Sequence, residues 1–283
     1  MKREDYESIT MDFQKNLHLP NISTNDVYYR RQLSLYSFNI HVLSTSESFF
    51  YCYPETVGGK GSDEVVSMLL NFIFTKLDTK VKHLEVFCDS CGGQNKNYTV
   101  FRFLHYVVSV AKKLETIKVT FPIRGHSYLE CDRNMSLINT KSQTELPEDW
   151  IHVFQSARVK PSPFQVIDVD QVLLRNWTRF LQPMFKKKCP FPSRPIRQIL
   201  FEAGHIRLVQ HRSNFNGAWE SSVIRSVNPT SNQDVFAVGE FLLPGLLYEE
   251  LRPISQEKYK DLLHLAQFCG PKGRHFYTSL PHK

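Results

Sequence analysis

The segment LEVFCDSCGGQNKN, residues 84–97, constrains the fold more than any other part of the sequence. Its first half is a short apolar run that is typical of a buried strand, and the run ends at Asp89. The glycines and polar residues that follow predict a loop, and YTVFRFLHYVVSVAKKL then has helical spacing and a basic C-terminal end. The pattern predicts a strand–loop–helix unit with a carboxylate held where the loop begins.

The elements around this unit indicate the fold class. Strands are predicted before it over residues 11–17, 27–43 and 48–53, and after it in TIKVTFPI. Helices are predicted over residues 63–77, capped by Asp63, and over residues 129–141. Three consecutive strands suggest an antiparallel meander, and the later alternation suggests parallel crossovers. We therefore predict an α/β fold, a ribonuclease H-like mixed sheet flanked by helices.

The stretch from residue 147 to residue 163 contains several prolines and suggests a domain boundary. Residues 1–155 are expected to form a catalytic-type core. Residues 156–250 are expected to contain a basic linker and a smaller β-rich module, because short apolar runs alternate there with the turn signals FNG and NPTSN. Residues 251–283 are predicted to form a terminal helix, capped by Ser255, and a basic tail.

Composition indicates the cellular compartment in which the chain is expected. No stretch approaches the roughly 20 apolar residues of a membrane helix, so no membrane partner is expected. Six cysteines in 283 residues do not suggest a disulfide framework, and the N-terminus lacks the apolar core of a signal peptide. We expect a nuclear or cytoplasmic location, and a homo-oligomer is left open.

Charge is distributed unevenly along the sequence. Residues 1–150 carry 17 basic and 18 acidic side chains, whereas residues 151–283 carry 18 basic and 10 acidic ones. Most of the surplus lies between Arg158 and Arg197 and includes Lys186, Lys187 and Lys188. The pattern is compatible with an acidic site beside a polyanion-binding surface, and equally with a solvated basic linker.

The loop after Asp89 has the residue types of a phosphate-binding site. Its glycines allow close approach of a ligand, and Gln94, Asn95 and Lys96 offer donors to phosphate or sugar oxygens. An ordinary aspartate turn explains the same residues equally well from their chemistry alone.

Metal-dependent phosphoryl transfer needs more than one carboxylate, because two cations about 3.5–4 Å apart are held by shared oxygen ligands. Asp12 in the first predicted strand and Asp132 in the helix after the last one are the further candidates, with Glu55 and Glu130 as weaker accessory ligands. Asp12 also fits a surface position near a strand edge, and Asp132 a helix cap.

Four segments together resemble a family of transposase-derived proteins that is known as a domain of unknown function. They are MDFQKNLHLP, YYRRQLSLYSFNIH, FCDSCGGQNKN and FPIRGHSYLECDRNMSLI. The resemblance spans roughly residues 10–150 and continues weakly to the end. It implies a ribonuclease H-like fold and a three-acid metal site for Mg²⁺ or Mn²⁺. Asp12, Asp89 and Asp132 would be the acids, and Arg124 and His126 would bind substrate.

This sequence departs from the family pattern at three positions. Asn134 and Asn139 stand where members often have Asp and Glu, and Cys88 stands where Ser is usual. If the Glu is the true third ligand, this chain lacks it. No Cys/His zinc-finger pattern precedes the first predicted strand, so any upstream DNA-binding region is expected to be missing.

Two functions follow as expectations. The first is a DDE-type transposase-like nuclease or strand transferase that uses Mg²⁺ or Mn²⁺ to cut or join DNA, with Lys186, Lys187 and Lys188 on the DNA backbone. The second is a domesticated or degenerate copy that binds nucleic acid or a protein without catalysis. A zinc site of Cys88, Cys91, Cys131 and His126 is a weaker alternative, because Cys88 and Cys91 flank a strand end.

Overall fold

The computed structural model of the chain describes residues 3–123, 129–226 and 241–283. The strands in these ranges are β1 (Tyr6–Phe13), β2 (Leu17–Leu19), β3 (Leu33–Val42), β4 (Ser48–Pro54), β5 (His83–Cys88), β6 (Thr116–Thr120), β7 (Gln165–Asp168), β8 (Gln198–Glu202), β9 (Leu208–Arg212) and β10 (Glu220–Val223). The helices are α1 (Ser62–Thr75), α2 (Tyr98–Tyr106), α3 (Glu130–Ser136), α4 (Pro147–Ser156), α5 (Trp177–Leu181), α6 (Gln256–Ala266) and α7 (Pro271–Thr278). None of these helices is both long and apolar enough to cross a membrane.

All the described strands belong to one mixed sheet. Its order is β10, β9, β8, β6, β5, β1, β3, β4 and β7, and β2 pairs with β3. β3 lies antiparallel to both β1 and β4, whereas β5 is parallel to β1 and β6 is parallel to β5. α2 connects β5 to β6, as a crossover between parallel neighbours must. The predicted α/β class with a mixed sheet is confirmed.

The sheet separates two apolar cores, and the residues of β4 divide between them. Phe49 and Tyr51 belong to the larger core, with most of α1 and α2. Phe50 and Cys52 belong to the smaller core, with residues of α4, α6 and α7. This division follows from the alternation of side chains along a strand.

The structure corrects several predicted element ends in the first third of the chain. β3 begins only at Leu33, because Asn25–Tyr28 form a turn of 3-10 helix. α1 begins after Gly61, where the Glu64 carboxylate accepts the N–H of Gly61 at 3.0 Å. Asp63, which was predicted to cap this helix, accepts hydrogen bonds from Thr178 instead.

The sheet continues through the stretch that was expected to be a domain boundary. α4 occupies the first part of residues 147–163, and β7 then pairs parallel to β4. β8 pairs antiparallel to β6, and β9 and β10 extend the sheet further. Within the described ranges, the strands of the expected β-rich module therefore belong to the central sheet.

The C-terminal residues form two helices where one was predicted. α6 is the predicted terminal helix, and its cap Ser255 accepts the N–H of Lys258 at 3.3 Å. The stretch expected to be a basic tail forms α7, in which Tyr277 is fully buried. The Tyr277 hydroxyl donates to the carbonyl of Glu145 at 2.5 Å, which ties the C-terminus to the residues before α4.

Candidate functional site at the edge of the sheet

Asp12 and Asp89 lie at the C-terminal ends of two neighbouring parallel strands. In the β1–β5 register Met11 pairs with Cys88, so the next residue of each strand brings Asp12 beside Asp89. Ile9 and Met11 belong to the larger core, and alternation therefore turns Asp12 to the opposite face. Cys88 also belongs to that core, which turns Asp89 to the same side as Asp12.

Helix α3 carries Asp132 to this face of the sheet. α3 packs on β1 and β3, and the N–H of Cys131 donates to Thr10 Oγ1 at 3.2 Å. Thr10 lies two residues before Asp12, so both side chains share one face of β1. Asp132 is in the first turn of α3, where its Oδ2 accepts the N–H of Leu129 at 3.3 Å.

The charges of the three carboxylates interact. Burial is the main cause that raises the pKa of Asp12 to about 7, and the charges of Asp89 and Asp132 add to the rise. The N–H of Phe13 opposes it by donating to Asp12 Oδ1 at 2.7 Å. Partial burial raises the pKa of Asp132, and Asp89 adds to that rise too. The structure therefore places the three predicted acids near one another on one face of the sheet, a region here called the acid edge.

Asn95 positions the acid edge from within the protein. It is fully buried, and its Nδ2 donates to Asp89 Oδ1 at 2.7 Å. A hydrogen bond from the Asn95 side chain also lowers the pKa of Asp12. Asp89 Oδ1 further accepts the N–H of Cys91 at 3.1 Å. Asn95 was predicted to contact substrate, but its burial gives it a positioning role toward two of the acids.

Lys96 is also turned inward. It is only 6% exposed, and its Nζ donates to the carbonyls of Arg194 at 2.9 Å and Ile196 at 2.6 Å. Burial lowers the pKa of Lys96 to about 8, and the charge of Arg197 contributes. An ammonium bound to two carbonyls is not presented to a phosphate. In place of the predicted phosphate contact, Lys96 fastens the loop after Asp89 to the segment before β8.

The lysines at 186–188 are exposed. Arg102 in α2 donates from Nη2 to the carbonyls of Lys186 at 2.7 Å and Lys187 at 3.2 Å. No carboxylate in the described ranges forms an ion pair with the three lysines. Arg102 therefore anchors an exposed, positively charged segment beside α2, the helix that follows the loop after Asp89.

Burial removes Arg158 from the predicted polyanion-binding surface. Arg158 is 9% exposed, and its Nη1 donates to Asn134 Oδ1 at 3.2 Å. Its Nη2 donates to the carbonyl of Ser46 at 2.9 Å. Of the aromatic residues interleaved with the basic ones, Trp177 and Phe185 are core residues.

Three substrate-binding candidates remain predictions. Arg124 and His126 lie outside the described residues, and Gln94 is partly exposed in the loop after Asp89. Asn139, where the family pattern has Glu, is exposed in a turn, and its Oδ1 accepts the N–H of Lys141 at 3.1 Å.

The acid edge suits a hard cation by its chemistry. Mg²⁺ and Mn²⁺ prefer oxygen ligands, and the negative charge of Asp89, which adds to the raised pKa values of Asp12 and Asp132, exerts a repulsion that a bound cation would relieve. However, no group of three or more His, Cys, Asp or Glu side chains in residues 3–123, 129–226 and 241–283 is arranged to hold a metal ion. Binding would therefore have to draw the carboxylates closer together.

The chemistry of the cysteines argues against the zinc alternative. Cys88 and Cys131 are buried, and burial is the main cause that raises the pKa of both thiols well above the ordinary range. Zinc binds the thiolate form, which these two residues disfavour. The fourth proposed ligand, His126, lies outside the described residues.

Sequence reasoning missed Thr10, which anchors the first turn of α3. The available signal was its position two residues before Asp12, because side chains at this spacing in a strand share a face. What the pattern could not give is the approach of α3 to that face, which depends on how the helix packs against β1 and β3.

Comparison with protein families gives one match. A family model described as a domain of unknown function, DUF7869, matches residues 40–188, and the chain belongs to this family. The matched range includes Asp89, Asp132 and the lysines at 186–188, whereas Asp12 precedes it. A comparison with curated proteins gives no match.

Proposed function

For this member of the DUF7869 family, we propose metal-dependent phosphoryl transfer on DNA, with Asp12, Asp89 and Asp132 as the acids of the site. The observation that carries the proposal is the acid edge itself. Burial and mutual repulsion raise the pKa of Asp12 to about 7 and also raise the pKa of Asp132. Strongly perturbed carboxylates that share one edge of a sheet are typical of catalytic sites.

The order of the central strands supports a ribonuclease H-like, transposase-like assignment. The strands β4, β3, β1, β5 and β6 combine an antiparallel meander with two parallel neighbours. That is the arrangement predicted from the order of elements in the sequence. The resemblance of four sequence segments to transposase-derived proteins supports the same assignment.

Each acid has a distinct contribution in this proposal. Asp12, whose pKa is raised to about 7, would lose its proton when a cation binds and then serve as an oxygen ligand. Asp89 is fixed by Asn95 and by the N–H of Cys91, so its carboxylate is preorganised. Asp132 is delivered by α3 as the third oxygen donor. When bound, Mg²⁺ or Mn²⁺ would stabilise the charge that develops on the phosphoryl oxygens.

The lysines at 186–188 would hold the DNA backbone. They are exposed, and Arg102 fixes the main chain of Lys186 and Lys187 beside the helix that follows the site. Contacts of this kind neutralise phosphates and orient the duplex without reading its sequence.

Binding of nucleic acid without cleavage is the second candidate function. The observation that favours it is that the described carboxylates do not form a ready three-ligand group. Asn139, in place of the family's Glu, also lacks the charge that a metal ligand would supply. This candidate predicts salt-dependent DNA binding that Mg²⁺ and Mn²⁺ do not convert into cleavage.

A plasmid-nicking assay with Mg²⁺ or Mn²⁺ tests the proposed catalysis. Replacing Asp89 by Ala or Asn should reduce nicking roughly 100- to 1000-fold, because a metal site contributes several kcal/mol to the transition state. Asp78→Ala is the matched control, since Asp78 lies before β5, at the opposite end of that strand. Equal nicking by wild type and Asp89→Ala would exclude the acid edge as the catalytic site.

A further inference from the structure

A glycine-rich loop carries Lys60 to the acid edge. The loop GGKG, residues 58–61, precedes α1, and its sequence has no spacing of a known phosphate-binding loop. Lys60 Nζ donates to the carbonyl of Gln14 at 2.9 Å and to Asn16 Oδ1 at 3.0 Å. It also lies 4.8 Å from the centroid of the Phe13 ring. The ammonium therefore rests on the residues that directly follow Asp12.

The loop holds Lys60 firmly, because both of its neighbours are fixed to buried groups. Glu64 is 3% exposed, and its carboxylate accepts the N–H of Gly59 at 2.7 Å and the N–H of Gly61 at 3.0 Å. The hydroxyl of Tyr53, which is fully buried, donates to the carbonyl of Gly59 at 2.7 Å. Because the loop is already fixed, little further conformational entropy is lost when Lys60 binds a ligand.

Lys60 keeps one donor available. An ammonium has three N–H donors, and the described residues accept two of them. Lys60 is partly exposed, and no carboxylate in the described part of the chain forms an ion pair with it. Burial lowers its pKa, while the charges of Asp12 and Cys91 oppose that change. The cation thus lies beside the C-terminal end of β1, where the charge of Asp12 acts on it.

We propose that Lys60 binds a backbone phosphate of nucleic acid beside the acid edge, with its third N–H donating to a non-bridging phosphate oxygen. A lysine acts on phosphate as a compact point charge, which suits a single oxygen at the rim of an acidic site. A positive charge here also offsets the repulsion between the carboxylates and an incoming phosphodiester. The choice of ligand rests on the proposed function, and the position of Lys60 does not.

The salt dependence of DNA binding tests this proposal. A labelled short duplex is titrated with the full chain in EDTA at several salt concentrations, and binding is followed by fluorescence anisotropy. Lys60→Met keeps the apolar stem over the Phe13 ring and removes the charge. The magnitude of the slope of the logarithm of the DNA association constant against the logarithm of the salt concentration should decrease by about 0.9, the value for one lost phosphate contact. Lys60→Arg should keep the wild-type slope.

Two further variants separate a phosphate contact from a structural role. Lys60→Gln removes the charge and keeps N–H donors on a side chain that is one bond shorter, and should show the same reduced slope. Lys80→Met is the matched control, because Lys80 is exposed before β5 and pairs with Glu4 at 3.5 Å. Its slope should equal that of wild type.

The outcomes are distinct from those of the nicking assay. A lower melting temperature with a wild-type slope in Lys60→Met and Lys60→Gln would make Lys60 a structural residue and overturn the proposal. Absence of wild-type DNA binding at low salt would overturn it as well. A Lys60-dependent slope in a protein that never nicks DNA would support this inference and reject catalysis.

Discussion

Helix α3 joins two polar regions that lie side by side on one face of the sheet. Its first turn presents Asp132 to the acid edge. Two residues later, Asn134 enters a buried network of Asn39, His41, Ser48 and Arg158, here called the Asn134 network. Asn134 Nδ2 donates to Ser48 Oγ at 2.7 Å and lies 3.1 Å from His41 Nδ1, while its Oδ1 accepts from Arg158.

The two regions differ in how their polar groups are satisfied. In the Asn134 network one buried cation donates to neutral acceptors, and each central side chain has a partner. At the acid edge, burial and the charge of Asp89 raise the pKa values of Asp12 and Asp132. Satisfied buried groups stabilise a fold, whereas crowded like charges cost stability and are retained where chemistry needs them. We infer from this comparison that the Asn134 network holds α3 in place and that the acid edge serves the proposed catalysis.

The largest expected effect on stability comes from Arg158→Met. The substitution leaves Asn134 Oδ1 and the carbonyls of Ser46 and Ser162 without their donor. A buried acceptor without a partner costs about 1–3 kcal/mol, and the two carbonyls, which water can partly reach, cost less. The free energy of unfolding should therefore fall by roughly 2–4 kcal/mol in urea denaturation. A loss below about 1 kcal/mol would show that the Asn134 network does not hold α3.

Asp12→Asn should have the opposite effect on stability and raise the free energy of unfolding. The folded-state pKa of Asp12 is raised to about 7, above the unfolded value of about 3.9, so the folded state binds more protons between these values. The free energy of unfolding of the wild type should therefore rise as pH falls from about 7 to 4. The destabilisation by the charged form of Asp12 is fully present above about pH 7. Asp12→Asn should stabilise the protein by about 2 kcal/mol at pH 8. The measurement is urea denaturation of the wild type and Asp12→Asn across this pH range. An identical pH dependence of their unfolding free energies would contradict the prediction.

Asn134→Asp should change the pH response of the Asn134 network. Burial, with help from Arg158, lowers the pKa of His41 in the folded protein, so the unfolded chain is protonated first as pH falls. His41 therefore reduces stability below about pH 6.5. A carboxylate at position 134 should raise the folded pKa of His41 and lessen that loss by about 1 kcal/mol. An NMR titration of the His41 ring checks it, and an unchanged or lower pKa would contradict the prediction.

The smallest effect on stability should come from Asp132→Asn. Much of the Asp132 side chain reaches solvent despite its partial burial, and Asn can still accept the N–H of Leu129 as a cap. The free energy of unfolding should change by less than about 0.5 kcal/mol, while nicking should fall as it does for the Asp89 variants. Chemical denaturation and the nicking assay, run on the same preparation, give both results. A large loss of stability would place Asp132 with the structural residues.

Local patterns predicted the centre of the fold well. The buried strand before Asp89 and the helices on either side of it were evident because their apolar spacing reflects burial. The place of residues 147–202 in the sheet was not evident, since β7 and β8 join the sheet through partners far away in the sequence, β4 and β6. Long-range pairing of short strands leaves little local signal.

Only part of the candidate site could be predicted, because only part of it leaves a local pattern in the sequence. Asp89 and Asp12 could be placed because parallel strands end at one edge of a sheet. The inward turn of Asn95 and Lys96 could not be predicted, since their residue types suit a phosphate equally well and only packing decides which way they face. The proximity of Lys60 to Asp12 could not be predicted either, because it depends on how the loop at residues 58–61 docks against the end of β1.

Calorimetric titration with Mn²⁺ tests most directly whether the three carboxylates act as one cation site. The account predicts binding to the wild type near pH 6.5, with release of a proton because Asp12 has a pKa of about 7. Both the binding and the proton release should be lost in Asp89→Asn and Asp12→Asn, and retained in Asp78→Ala. Equal Mn²⁺ binding by the wild type and Asp89→Asn, or none by the wild type, would contradict the account.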